Sequence, residues 1–375
     1  VAAVYRDNVL AMSQDLSRYH RQMLLPGFGD DGQRRLLGST VMVLGCGALG
    51  CVIVDLLARA GVGHLVIVDR DFIELTNLQR QVLFDEDDVA DAIPKAEAAK
   101  RRIAEINSDV RVTAIVDDIN HTNIERLSEG VDVFVDGLDN IETRYLANDL
   151  AVKSGRPFIY GAAVGTTGMA FTVLPHAAGD APWETLESGS LATPCFRCLF
   201  EDAPPPGTSA TCDTVGVIAP AVAVIANFQV AETLKILTGS FERVSRTLLN
   251  LDLWANEILQ LKVDKAYDDG NCPCCKQRRF EYLDGIAGSS TAALCGRNAV
   301  QLRHRQQAER VDLDAIALRL QKHGLVSVNE FMLRTQIAEN NADYEITLFK
   351  DGRAIVKGTE EPAIARSVYA KYIGT

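Results

Sequence analysis

Four apolar residues, Val41–Leu44, run straight into Gly45, Gly47 and Gly50, and a second apolar run, His64–Val68, ends at Asp69. A buried strand, a glycine turn and a helix start are the parts of a phosphate cradle. Glycine lets the backbone approach an anion closely, and the first turn of a helix offers free N–H groups and the positive end of its dipole. Asp69 at the end of the next strand is placed to accept from a ribose hydroxyl. To this point a dinucleotide dehydrogenase fits equally well. Asn77, Arg80 and Lys95 separate the readings. Hydride transfer has no need of two added cations just past the second strand. Breakage of a triphosphate does, because negative charge grows on the departing pyrophosphate.

Further candidates follow along the chain. Asp136 and Asp139 end another strand, where ligands of parallel sheets bind. A carboxylate there suits Mg²⁺ between phosphates. Asp139, one step beyond the strand end, is the better placed, and its competing role is N-cap of the helix from Ile141. Cys195-x-x-Cys198 and Cys272-x-x-Cys275 carry the spacing of a closed, tetrahedral, structural Zn²⁺ site, with Cys274 spare. Cys212 lies in Thr211-Cys212-Asp213-Thr214, just before a helical run that favours thiolate. It reads either as a sulfur nucleophile or as an incidental loop thiol. Cys46 and Cys51 read as packing residues. Arg18 and Arg21, taken alone, read as a solvated helix face, and the histidines show no catalytic spacing.

Composition narrows the class. The formal net charge of −12 argues against nucleic acid and anionic membranes as partners. Residues 1–20 hold no apolar h-region, so no export signal is expected. Nine cysteines without such a signal point to reduced thiols in a cytoplasmic protein. The longest apolar run, 215–226, contains Pro220 and is too short to span a membrane.

These residues need a scaffold. Apolar runs at 41–45, 64–69, 111–116, 131–136 and 157–161 alternate with helical stretches, including 95–107 and 141–154. That is an α/β pattern: a Rossmann-like parallel sheet with crossover helices. Strand-like runs at 168–174, 246–253 and 257–263 extend it, in antiparallel fashion, around a long polar loop at 176–214 and a buried helix at 215–238. The expected organisation is an N-terminal helical segment (1–38), a nucleotide domain with the metal site (39–285), a linker rich in Gly, Ser and Thr (286–298), and a small α+β domain (299–375). In the last, a helix at 313–322, a hairpin turning at Asp351-Gly352 and a helix opened by Pro362 are expected.

Together these motifs resemble the ubiquitin-activating-enzyme-like adenylyltransferases, in particular the ThiF and MoeB type. The likeness covers about residues 17–285 and rests on Arg18-Tyr19-x-Arg21-Gln22, Gly45-x-Gly47-x-x-Gly50, Asp69-x-Asp71, Asn77-Leu78-Gln79-Arg80, Lys95, Asp139-Asn140 and both cysteine pairs. The resemblance implies activation of the C-terminal glycine of a ubiquitin-like sulfur-carrier protein, ending in Gly-Gly, as an acyl-adenylate. It implies ATP, Mg²⁺ and Zn²⁺ as cofactors and a homodimer. It gives Gly45, Gly47 and Gly50 to the nucleotide loop and Asp69 to the ribose, with Asp71 beside it. Asn77, Arg80 and Lys95 would face the phosphates, and Asp139 the Mg²⁺. Arg21 resembles an arginine that reaches the partner's site, and Cys212 the position that in some members links covalently to the carrier. Cys295 lacks the surroundings of a sulfurtransferase loop, so the tail is expected to dock or support a dimer. Two rival readings stand beside this one: an NAD(P)-dependent oxidoreductase, and a non-catalytic zinc scaffold that binds carriers.

Overall fold

The computed structural model describes residues 15–374 apart from 92, 177–180, 186–188, 205–211, 269, 295–297, 305–310, 329–331, 340–341 and 351. The cysteine at 295 and the turn residue Asp351 therefore lie outside the described residues, as does the part of the N-terminal segment before 15.

Eight strands form the larger sheet: β1 (Thr40–Leu44), β2 (His64–Val68), β3 (Arg111–Ile115), β4 (Val133–Asp136), β5 (Phe158–Val164), β6 (Thr167–Val173), β7 (Thr247–Asp252) and β8 (Glu257–Lys262). Their order is β3-β2-β1-β4-β5-β6-β7-β8. The first five are parallel and the last three join antiparallel. Because β1 pairs with both β2 and β4, the strand order reverses between them, and a crevice opens there at the carboxyl ends of the strands.

Alternation along the parallel strands splits the core in two. Val41, Val43, Leu65, Ile67, Val133 and Val135 face one layer, with Ile53 and Leu57 of helix Ala48–Ala60, Ile103 of helix Lys95–Ile106 and Ile225 of helix Ala219–Leu237. Met42, Leu44, Val66, Val68, Phe134 and Phe158 face the other, with Tyr145, Leu146 and Leu150 of helix Ile141–Ser154. Strands buried on both faces read as unbroken apolar runs, which is why they stand out in the sequence. Helix Ala219–Leu237 is long and apolar enough to cross a membrane. It lies instead against helix Ala48–Ala60, β5 and β6. It begins later than the apolar run, because Gly216 takes φ 81°, Val217 bridges to Gly165, and Pro220 fits only a helix's first turn.

The C-terminal region holds more sheet than its sequence suggests. Strands β9 (Ser289–Leu294), β10 (Ala299–His304), β11 (Leu325–Val328), β12 (Met332–Glu339), β13 (Ala342–Phe349) and β14 (Ala354–Lys357) form an antiparallel sheet in the order β11-β12-β13-β14-β10-β9. Helices Leu313–Leu320 and Pro362–Tyr372 pack on it around Leu302, Ile316, Leu333, Ile346, Val356 and Tyr369. The expected hairpin is β13–β14. Within the stretch expected as a linker, 286–298, Ser289–Leu294 form β9. As an edge strand it has one neighbour, and edge strands tolerate small polar residues that mimic a linker.

The glycine turn is fixed by contact. A Cβ on Gly50 would stand 2.1 Å from the Gly45 carbonyl oxygen, and one on Gly45, where φ is +90°, would stand 2.5 Å from that of Gly137. Gly50→Ala should therefore lower the unfolding free energy by about 1–3 kcal/mol, the usual range for forcing a methyl into a packed site. Urea denaturation of the variant checks this.

Candidate functional site

The crevice at the strand-order reversal gathers side chains from four strand ends. β1 leads into the glycine turn, whose last residue before helix Ala48–Ala60 is Gly47. Unlike its neighbours, Gly47 has almost open space where a Cβ would stand, the nearest atoms lying 4.0 Å away. Among the described residues no atom crowds that position, which leaves room for an anion to touch the backbone.

β2 ends at Asp69, which accepts from the Cys46 backbone N–H at 2.6 Å and from the Asp71 N–H at 2.8 Å. The carboxylate thus ties the glycine turn to the second strand end. Burial pushes its pKa up. Lys95, at the start of its helix and only 7% exposed, reaches Asp71 at 3.3 Å. Burial works against its charge, yet Asp69, Asp71 and Asp139 outweigh that and raise its pKa above the ordinary lysine value. For Asp71, too, burial is opposed, by Lys95 and then Arg70, and the net shift is downward. Lys95 is thus a buried side chain whose charged form is favoured by Asp71 in contact and by Asp69 and Asp139.

Asp136 and Asp139 part company. Asp136 is fully buried, pairs with Arg144 Nε at 2.9 Å and accepts from the Leu138 N–H. Arg144 also donates to the Leu138 carbonyl at 2.7 Å. This pair is internal and shapes the 136–140 turn. Asp139 is exposed on that turn, its nearest polar contact being Asn140 Nδ2 at 3.4 Å. The helix from Ile141 is capped by Asn140, whose side chain accepts from the Thr143 N–H. Asp139 is therefore not the cap and is open to a cation. Arg144 went unnoticed in the sequence; its only signal was a cation one helical turn past a strand-end aspartate.

Other candidates fall around this edge. Arg80 spends one donor on the Thr76 carbonyl at 2.9 Å, leaving others of its five. Asn77 is buried, and its Oδ1 accepts from the Glu74 N–H at 3.2 Å, a loop-building role. Cys212 opens the short turn Cys212–Val215 and donates to the Ala163 carbonyl of β5 at 3.3 Å, on the same carboxyl edge. Arg21 lies apart, exposed on the turn His20–Met23, and Leu24 and Leu25 beside it are 68% and 58% exposed. Cys46 and Cys51 are buried in the core.

The two cysteine pairs come together. The sulfurs of Cys195, Cys198, Cys272 and Cys275 lie within 4.8 Å of one another, with separations of 3.9, 3.6 and 3.4 Å along 195–198, 195–272 and 198–275. Four sulfurs at about 2.3 Å from a central ion stand about 3.8 Å apart, so the donor set fits a four-thiolate metal. Cys274 is not among these four sulfurs and accepts from Asn148 Nδ2 at 3.3 Å.

Removing the Arg144 cation leaves a buried carboxylate alone. Arg144→Met should cost about 3–5 kcal/mol of stability, whereas Asp139→Ala should stay within about 0.5 kcal/mol. Paired urea titrations separate the structural aspartate's partner from the functional candidate.

Residues 19–274 match the ThiF family. A sulfur carrier protein ThiS adenylyltransferase of Bacillus subtilis strain 168 is 43% identical over 358 residues, spanning 95% of this chain and 99% of its own. A sulfur carrier protein adenylyltransferase of Thermus thermophilus is 38% identical over 262 residues, 70% of this chain and 91% of its own. Among solved structures, that of E. coli MccB with ATP is similar in fold, with a TM-score of 0.55 over 69% of this chain and 74% of that one, at 24% identity.

Proposed function

We propose that this chain, which belongs to the ThiF family, adenylylates the C-terminal glycine of a ubiquitin-like sulfur-carrier protein at the expense of ATP. The observation that carries this reading is Lys95, buried and 3.3 Å from Asp71, whose N–H is held by the same Asp69 carboxylate that accepts from the glycine turn. A carboxylate oxygen of the carrier attacks the α-phosphorus, the bond to pyrophosphate breaks, and an acyl-adenylate forms. This step needs positioning and charge stabilisation rather than a protein nucleophile. The glycine turn and the helix start at Gly47 receive phosphate oxygens, and Asp69 the ribose. Lys95 and Arg80 stabilise charge on the leaving pyrophosphate, with Asn77 bracing the loop that carries Arg80. Asp139 holds Mg²⁺, which supplies neutralisation between phosphate oxygens when bound.

Cys212, on the same edge, is the proposed acceptor of the activated acyl group. Its thiolate attacks the acyl carbon, AMP leaves, and a thioester joins carrier and enzyme. The exposed residues Trp254, Ile258, Leu259 and Leu261 at and before edge strand β8 support docking of the carrier's folded body. The exposure of Arg21 beside Leu24 and Leu25 supports a cytoplasmic homodimer in which Arg21 reaches the neighbouring site. The four-cysteine cluster is proposed to hold one structural Zn²⁺.

Exchange of labelled pyrophosphate into ATP, dependent on a cognate carrier ending in Gly-Gly, tests the reading. Asp139→Ala should reduce that exchange by about 10²–10³, as loss of other preorganised charge-stabilising groups does. Near-normal exchange in a folded Asp139→Ala protein would overturn its role.

Elemental analysis should find about one zinc per chain. Cys272→Ser should lose the metal and melt earlier, while Cys274→Ser should keep the metal. Loss of metal from Cys274→Ser would mean that the ligand register is wrong.

A further inference from the structure

The C-terminal helix Pro362–Tyr372 belongs to the second sheet by its core, yet its other side lies on the nucleotide edge. Ala365, Val368, Tyr369 and Tyr372 are buried in the C-terminal core. Ser367 Oγ donates to Asp71 Oδ1 at 3.4 Å, and Lys371 Nζ stands 3.9 Å from Glu74. Arg366 donates to one oxygen of Asp118, just past β3, and Arg70 donates to the other. Arg70 in turn stands 3.7 Å from Asp71, which pairs with Lys95. The same helix runs beside the Cys212–Val215 turn. Between the helix and the strand ends lies a cleft of about 370 Å³, lined in part by Arg70, Asp118, Asn140, Thr143, Arg366 and Tyr369.

We propose that the C-terminal helix is a wall of the nucleotide site, and that Arg366 is a positioning residue for ATP, acting through Asp118 and Arg70 on Asp71. This rests on the adenylylation reading. The physical reason is the alternation of charge along the path Arg366, Asp118, Arg70, Asp71, Lys95. Asp118 shares its two oxygens between two guanidinium groups, and its side chain is only 11% exposed. In that setting each guanidinium is held in place by the other's absence from its own oxygen. Without Arg366, Asp118 draws Arg70 as its sole cation and the helix loses its strongest tie. Arg70 then shifts relative to Asp71, and Asp71 is the carboxylate that fixes Lys95. A helix that begins at Pro362, far along the chain from the glycine turn at Gly45–Gly50, thereby sets the geometry of the phosphate-facing cation.

The test uses the full chain and Mg·ATP binding by calorimetry, with pyrophosphate exchange measured alongside. Arg366→Ala should weaken ATP binding about five- to tenfold and raise the KM for ATP in parallel, with kcat within about twofold. Arg366→Lys should recover most of the loss. Asp118→Asn should weaken binding to a similar degree, and the double variant should be no worse than either single one, because both act through one link. Hydrogen exchange supplies the reciprocal measurement: ATP should slow amide exchange across 362–372 in the unmodified protein. Unchanged ATP affinity in folded Arg366→Ala, or losses that multiply in the double variant, overturns the proposal. If Arg366→Ala does not fold, absence of ATP-dependent protection of the helix overturns it. ATP binding with the expected coupling but no carrier-dependent exchange would instead overturn the adenylylation reading and leave this one standing.

Discussion

The charge on Lys95 is the constraint around which the carboxyl edge of the large sheet is arranged. An ammonium group so far out of water is tenable only with anions beside it. Those anions come from different strand ends: Asp69 and Asp71 follow β2, and Asp139 follows β4. Asp69 is also the acceptor for the glycine turn. Asp71, in contact with Lys95, and Asp69, the acceptor for the glycine turn, therefore tie lysine, turn and the end of β2 together, and exposed Asp139 adds its charge from the turn after β4. This arrangement has a consequence for the proposed substrate. Three carboxylates facing a lysine repel a bare triphosphate but accept one whose charge is largely offset by a metal. On the proposed function, this balance of charge suits the metal complex of ATP better than the free nucleotide.

What the sequence disclosed follows from the same physics. Strands buried on both faces must be apolar throughout, so β1, β2 and β4 could be placed nearly to the residue. Glycines at 45 and 50 and cysteines at x-x spacing are required by contact or by ligand geometry, and such requirements survive in a linear reading. Arg144 did not, because a cation on a helix reads as solvated until the fold shows Asp136 beneath it. The second sheet was half seen for a related reason. Its hairpin β13–β14 announces itself by a turn, whereas β9 and β11 are edge strands. An edge strand makes half the contacts of an inner one, so its composition is weakly constrained and passes for a linker. Asp139 lay between these cases. Its position was legible, but its release from capping duty depends on Asn140 taking that duty, which only the backbone reveals.

The cysteine cluster and the nucleotide edge are joined by one element. Helix Ile141–Ser154 is nearly without an exposed face along its middle, with Tyr145 to Val152 all buried. Arg144 and Asn148 stand four residues apart on it and so share a side. Arg144 fixes the turn that presents Asp139. Asn148 accepts from the Phe196 N–H at 2.8 Å, inside the first cysteine pair, and donates to Cys274 inside the second. The next residue, Asp149, accepts from the Tyr282 N–H at 2.9 Å, just past the second pair. The helix is thus pinned at its centre by the segments that carry the four thiols and, at its start, pins the acidic turn. A metal drawing the thiols together would lock the register of this helix, and with it the placement of Asp139, although no ligand of one site touches the other. A closed four-thiolate site with no open position has no chemistry of its own to do. A metal bound there would contribute through this helix, its rigidity reaching the carboxyl edge through Asn148 and Arg144.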